Sequence, residues 1–481
     1  MRAYVTVVGT SPEAVFNPLW YLVEVHGWIP EEVYLIWNDG VKNELDRVRE
    51  LIEGLSRAYG MEIRIHSDES LKVEEAKPDE LRDRVFSLLE RLAGKEVVVD
   101  ITPGRKFMSA VLFGAAASSN AEITYLHLSD WRDYVGKLLF EVPMSKQRLF
   151  TGRELLGRPS HIFQRWRRRE SPGSFTVTRE ELMAILDSLY IDGTTEFGVS
   201  LRSLPIGSAS LGERASFHLE DFVKIPEEHG GHGMVKEALI AGGMVSFKNW
   251  NELVKKVFAL LESGRPLYIG FDTNALLMRI PSRVLEEKAF YRGGSLIFDS
   301  VYSDEVALEL GRMVNKKLPY KSSLGIYSNA PTPKARLASL GQVELEKLRS
   351  RGAERTSSGK DHSGDTKIAL DYKAFAEEKD ANVMVITFDD RAYAEMKALR
   401  GSGLVPFRLE WEFSFGRTFE GSWEALRDTL YVLAATLGEL NFASYKLYGV
   451  WHGKNSEDWE REKIRLVGFE YGRIFRVLSE G

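Results

Sequence analysis

The sequence predicts an α/β protein made of two parallel-sheet domains with a mixed α+β segment between them. Three observations lead there. Apolar, β-branched runs alternate with helical spacing over residues 3–128, the pattern of parallel strands joined by crossover helices. The same alternation resumes at Pro266. At 481 residues the chain is also too long for one ordinary core.

Each element has a local reason. Residues 3–8 form an apolar run suited to a buried strand, and the helical spacing of 12–26 stops at Gly27. Residues 33–37 read as a strand, 42–59 as an amphipathic helix closed by Gly60, 62–66 as a strand and 79–92 as a helix. Residues 96–100, 104–118 and 122–128 follow as strand, helix and strand. This gives a Rossmann-like sheet over 1–150, whose ligands belong at the carboxyl ends of its strands. Arg165–Arg169 is then a basic cluster around Trp166, and 171–174 reads as a linker. Residues 178–189 look helical, with Thr178 as N-cap and Glu181 three residues on. Residues 192–243 are irregular and 249–262 helical, so 151–262 is read as an intermediate region.

Over 263–415 the expected elements are strands at 267–271 and 296–299, a helix at 301–314 and a polar loop around one helix at 316–360. A helix at 365–379 and strands at 382–388 and 406–413 complete that domain. The extension 416–481 carries a helix at 423–437 and strand-like runs at 442–451 and 463–477.

Composition narrows the function. Hydrophobic content of 44% and charged content of 28% belong to a folded chain. A net charge of −6 argues against a general basic coat, so any nucleic-acid site is local or handles phosphate through metal ions. The lack of cysteine excludes disulfides and thiolate metal sites. Residues 1–5 read as a strand rather than a signal peptide, and no uncharged stretch is long enough to span a bilayer. A cytoplasmic location without a membrane partner is the expectation. Scarce glutamine (Gln147, Gln164, Gln342) beside abundant Glu, Lys and Arg leans towards a thermophile. Neither Gly-x-Gly-x-x-Gly nor a Walker lysine loop is present, which disfavours ordinary dinucleotide or ATP binding.

Two constellations carry chemistry. Asp272 and Asp389 each follow an apolar strand, Asp365 opens a helix, and Glu305 lies early in another. Carboxylates converging at one sheet edge repel one another unless a divalent cation binds, and oxygen-only ligands select Mg²⁺ or Mn²⁺. Taken singly, each would serve equally as a cap or surface acid. The order Asp272-Thr273-Asn274, Glu305, Asp365, Thr387-Phe388-Asp389 resembles the PIN-domain nucleases. The resemblance implies that Asp272, Glu305, Asp365 and Asp389 hold metal and act in catalysis, with Asn274, Thr387 and Asp390 in support. Glu309, one turn after Glu305 on the same helix face, competes for the glutamate role.

At the other end, Val97–Asp100 leads into Thr102-Pro103-Gly104-Arg105-Lys106, and Gly9-Thr10-Ser11-Pro12 follows the first strand. Hydroxyls, backbone N–H groups and cations at a helix start suit a phosphodiester ligand. These motifs resemble those of the CARF (CRISPR-associated Rossmann fold) sensors over residues 1–145. The resemblance implies a cyclic oligoadenylate, with the tetra-adenylate as first candidate, bound across a homodimer by Thr10, Ser11, Thr102, Gly104, Arg105 and Lys106. It further implies a CRISPR-associated, ligand-regulated endoribonuclease of antiviral defence that cuts single-stranded RNA, with DNA as second substrate. Two alternatives stay open: an RNA-binding regulator without cleavage, and a ring nuclease that degrades the cyclic ligand.

Other signals are weaker. Arg355 and His362 match the spacing of the HEPN ribonucleases, but lie in a segment of loop composition where that chemistry needs a helix. His229 and His232 sit among glycines, and two histidines fall short of a structural metal site. The Arg165–Arg169 cluster suits RNA phosphates and a solvated linker equally.

Overall fold

The computed structural model describes every residue except 75–76, 139–140, 161, 163–172, 222–224, 226–230, 317–330, 360–361, 400, 402 and 470–481. By contacts the chain divides into two units, one of 1–173, 180–195 and 469–481, the other of 174–179 and 196–468. The Arg165–Arg169 cluster, His229 and the end of the expected 463–477 strand lie outside the described residues.

In the first unit the elements run β1 (Arg2–Val7), α1 (Pro12–Glu24), β2 (Glu32–Ile36), α2 (Lys42–Tyr59), β3 (Arg64–His66), α3 (Pro78–Arg91), β4 (Glu96–Asp100), α4 (Lys106–Ala117), β5 (Glu122–Leu128), β6 (Gln147–Phe150) and α5 (Gly152–Leu156). The sheet order is β3-β2-β1-β4-β5-β6, parallel from β3 to β5, with β6 antiparallel at the edge. Every residue of β2 is buried, and β1 is buried beyond Arg2, as strands covered on both faces must be. The chain builds outward from β1 to β3, then returns to β1's other side. The crevice between β1 and β4 is therefore the topological switch point. The helix α6 (Met183–Ile191) also belongs to this unit.

The second unit holds two sheets. Its elements are β7 (Gly173–Thr178), β8 (Glu196–Leu201), β9 (Leu204–Leu211), β10 (Ala215–Leu219), α7 (Gly231–Gly242), α8 (Trp250–Leu261), β11 (Leu267–Phe271), α9 (Thr273–Leu277), α10 (Ile280–Glu286), β12 (Tyr291–Arg292), β13 (Ser295–Leu296) and β14 (Asp299–Ser303). Then come α11 (Asp304–Val314), α12 (Pro333–Ser350), β15 (Glu354–Thr356), α13 (Gly364–Glu378), β16 (Asn382–Thr387), α14 (Asp390–Ala398), β17 (Leu404–Arg408), β18 (Thr418–Gly421), α15 (Trp423–Leu437), β19 (Glu439–Phe442), β20 (Tyr445–Tyr448), α16 (Ser456–Glu460) and β21 (Lys463–Phe469). A five-stranded parallel sheet has the order β15-β14-β11-β16-β17. Again the chain builds to one side and returns to the other, so the switch point lies between β11 and β16. An eight-stranded sheet, order β18-β10-β9-β8-β19-β20-β21-β7, joins strands from both flanks of the parallel one. The expected boundaries at 262 and 415 consequently fall inside this unit, because β8 pairs with β19 and β10 with β18.

Several expected elements move, among them the strand of 406–413, which lies at Leu404–Arg408, and the run of 442–451, which divides between β19 and β20. Thr178 ends strand β7 rather than capping a helix, and α6 starts at Met183 after a 3₁₀ turn over Glu180–Leu182. The strand expected at 296–299 lies at Asp299–Ser303, and α11 starts later than 301 because the Ser303 hydroxyl accepts the Glu305 N–H at 3.1 Å.

Buried ion pairs brace the second unit. Arg279 is 3% exposed and donates to Glu462 at 2.8 Å, while Arg179 makes two 2.8 Å bonds to Asp428 and one of 3.0 Å to Glu462. The network ties α15 and the start of β21 to the helices that follow Asp272.

Candidate functional sites at two switch points

In the first unit the loops after β1 and β4 touch backbone to backbone. A Cβ on Gly9 would stand 3.0 Å from the Gly104 nitrogen, and one on Gly104 would stand 2.5 Å from Val7 Cγ2. Gly104 also has φ of 90°, a conformation that favours glycine. Beneath the loops lies Asp100, with no exposed surface. It accepts the Thr102 N–H at 3.0 Å, the Thr102 hydroxyl at 3.1 Å and the Thr124 hydroxyl at 2.9 Å. Burial nevertheless pushes its carboxyl up to about 7.

A cleft of about 600 Å³ opens above, lined among others by Thr10, Ser11, Asn38, Thr102, Gly104 and Arg105. Five of the six residues expected there line it. Lys106 is the exposed first residue of α4 and is not in the lining. Thr102 lines it with a committed hydroxyl, since that oxygen also accepts the Leu126 N–H at 2.8 Å. Asn38 also lines it, from the loop that follows β2 beside β1. The helices α1 and α4 both begin at this edge, and the N-cap residues Ser11 and Arg105 make no side-chain cap hydrogen bond. Two helix N-termini without side-chain caps, with hydroxyls and an arginine, suit an anion.

The second switch point has the opposite electrostatics. Asp272 follows β11, caps α9 through the Ala275 N–H at 2.6 Å, and accepts the Thr387 hydroxyl. It is 3% exposed. Burial pushes its carboxyl up to about 7, with Asp389 and Asp365 adding repulsion. Asp389 follows β16 and caps α14, accepting the Arg391 N–H at 2.7 Å and the Ala392 N–H at 3.2 Å. The Thr387 hydroxyl also accepts the Asp389 N–H at 2.9 Å. Asp365 lies in the first turn of α13, and its carboxyl is raised by partial burial, then by Asp389 and Glu395.

Both glutamates are near. Glu305 is buried and accepts from Arg312 at 3.1 Å and from the Gly364 N–H at 3.4 Å. Glu309 accepts the Thr273 hydroxyl, and its carboxyl is raised by burial and by Glu305 and Asp365. Asn274 is half-buried in α9, whereas Asp390 is exposed in an ion pair with Arg408. Glu395 was not picked out. It accepts the Thr366 hydroxyl at 2.7 Å and bears on Asp365. Only the fold brings α14 alongside α13.

The oxygen donors are of the type that suits Mg²⁺ or Mn²⁺. As the side chains stand, no three described Asp, Glu or His residues are grouped to hold an ion. Oxygens of Asp272, Asp389, Glu305 and Glu309 serve as caps or accept neighbouring donors. Arg355 lies in β15, paired with Asp304, and not on the helix that HEPN chemistry needs. The ring of His232 meets Phe415 edge-on at 5.7 Å. No helix among the described residues is long and apolar enough to cross a membrane.

No family model and no curated protein matches the chain. Among solved structures, Can2 from Sulfobacillus thermosulfidooxidans in complex with cyclic tetra-adenylate aligns at 18% identity over 26% of this chain, with a TM-score of 0.21. That alignment takes in 32% of the Can2 chain. A type III CRISPR defence DNA nuclease activated by cyclic oligoadenylate aligns at 10% identity over 91% of this chain and 70% of its own, with a TM-score of 0.22. Protein VC1899 from Vibrio cholerae aligns at 11% identity over 85% of this chain and 94% of its own, with a TM-score of 0.27. Similarity at these scores decides neither fold nor activity.

Proposed function

We propose that the chain is a CRISPR-associated effector. Its first unit is a CARF-like sensor that binds a cyclic oligoadenylate, the tetra-adenylate ring first, across a two-fold homodimer. Its second unit is a PIN-like endonuclease that cuts single-stranded RNA, and DNA as second substrate, with Mg²⁺ or Mn²⁺. The observation that carries this reading is the contrast between two equivalent places. One switch point offers helix N-termini without side-chain caps, hydroxyls and Arg105 to an anion. The other brings Asp365 and Asp389 near enough to Asp272 to add to the rise in its proton affinity, and Asp389 near enough to Asp365 to do the same there.

In this reading Asp272, Asp365, Asp389 and one of Glu305 or Glu309 would hold the cation. When bound, the ion would supply an activated water and neutralise charge on the phosphoryl oxygens. The protein's own part is positioning. Thr387 links the two strand ends, donating to Asp272 and accepting from the Asp389 N–H. The rise of the Asp272 carboxyl to about 7 belongs to the site without a cation, and as a ligand it would be deprotonated. A second reading starts from the described side chains as they stand, no three of which are grouped to hold an ion. There the second unit binds RNA and regulates without cutting.

The test is cleavage of single-stranded RNA and DNA by the purified chain, with Mg²⁺, Mn²⁺ or EDTA, with and without cyclic tetra-adenylate. The expected result is metal-dependent cutting that Asp272→Asn lowers by a factor of about 10² or more. Unchanged cutting by that variant removes the site assignment, and binding without cutting under every metal supports the regulator.

A further inference from the structure

We infer that aromatic rings beside the acidic crevice form a stacking platform that receives the bases of a single-stranded polynucleotide. The inference rests on the reading above and names how its substrate is held. The chain leaves β17 at the same carboxyl edge as Asp272 and Asp389, because Thr387 pairs with Arg408 and the Leu409 N–H donates to the Thr387 carbonyl at 2.9 Å. It continues as Trp411-Glu412-Phe413-Ser414-Phe415, in which Glu412 and Ser414 are exposed and the three aromatics are half-buried. The alternation of burial along the segment sets the three rings apart from Glu412 and Ser414.

Phe388, between Thr387 and Asp389, connects these rings to the acids. Its ring meets Trp411 edge-on at 4.9 Å and Phe247 at 5.6 Å, and Phe247 stacks on Trp250 at 5.8 Å. Phe413 and Phe415 meet edge-on at 5.3 Å. All six rings are half-buried; none belongs to the fully buried core. Each ring therefore keeps part of its surface open beside the acidic strand ends, although Phe413 also stacks on the buried Phe419 at 5.7 Å.

Cations accompany the rings. Lys236 lies over the Trp411 ring at 5.4 Å and Arg283 over Phe247 at 4.9 Å. Lys248 and Arg417, both about half exposed, share Glu412 as ion-pair partner. Rings interleaved with cations bind single strands, whose bases are open to stacking, and leave duplexes, whose bases are already stacked. The position of Phe388 would carry the strand's backbone to Asp389.

The test uses the full-length chain in EDTA and a short fluorescent oligouridylate, against a duplex of equal length. The expected result is preference for the single strand, weakened about 5- to 150-fold by Trp411→Ala and largely kept by Trp411→Phe. The dependence of binding on salt should not change, since no phosphate contact is removed. Should Trp411→Ala lower the melting temperature, Phe413→Ala and Phe415→Ala carry the same test. A folded variant that binds like the wild type, or that loses single strand and duplex equally, overturns the platform. Cleavage is scored apart: a wild-type protein that shows the stacking pattern yet cuts nothing overturns the nuclease reading and leaves the platform standing.

Discussion

Asp100 ends β4 and Asp272 follows β11, each on one of the two strands that flank its sheet's switch point. Each is buried at a switch point, held by threonine hydroxyls, with its carboxyl pushed up to about 7. For Asp100 the consequence for stability has a definite sign. The unfolded carboxyl titrates near 3.8 and the folded one near 7, so the folded state binds the proton more tightly. Its contribution is fully present below about pH 4, falls as pH rises to about 7, and is flat above. Asp100→Asn removes that titration and keeps the shape. The difference in melting temperature between Asp100→Asn and wild type should therefore shift in the variant's favour from pH 4 to pH 7, then level off. A constant difference across that range would mean that Asp100 stays charged in the folded protein.

At the scale of elements, α7 and α15 meet where Gly242 leaves no room for a side chain. A Cβ there would stand 2.2 Å from Thr429 Oγ1 and 2.4 Å from its Cα. The nearer atom could rotate away, but the backbone atom cannot. Gly242→Ala should therefore cost about 3 kcal/mol or more, read as a lower denaturant midpoint at unchanged slope. Nothing local in the sequence marks this contact, and legibility divides along the same line. The alternation from β1 to β5 and from β11 to β17 was readable because buried parallel strands are continuous apolar runs with helices between them. Asp272 and Asp389 were readable because they end such runs. The strands β8, β9 and β10 were not, since these half-exposed antiparallel strands carry Ser and Gly, and β10 and β8 find the partners β18 and β19 about two hundred residues away or more. The start of α11 was misplaced, although Ser303 two residues before Glu305 is an ordinary N-cap signal. The aromatic cluster around Phe388 is not legible locally, because Phe247 and Trp411 meet only through a bridge between distant segments.

For the whole molecule, the order of segments matters as much as their content. The chain enters the second unit for 174–179, returns to the first for 180–195, and only then builds the second from 196. A cut at 150 therefore removes part of the first unit. It takes away α5, whose Gly152 N–H donates to the buried Glu122 at 2.7 Å. It also takes away α6, whose Asp187 accepts the Met144 N–H at 2.9 Å. Met183, Ile185, Leu186 and Leu189 are all buried along α6, and each fully buried side chain of this size is worth about 1.5–3 kcal/mol. Even with generous discounting, the loss approaches the whole stability of a small domain. A fragment of residues 1–150 should thus aggregate or bind a hydrophobic dye, whereas 1–195 should unfold cooperatively. The longer fragment should also gain about 2.7 kcal/mol when cyclic tetra-adenylate is present at a hundred times its dissociation constant. If 1–150 melts as cooperatively as 1–195 and at the same temperature, α6 adds nothing to the first unit's core and the interleaved division of the chain is wrong.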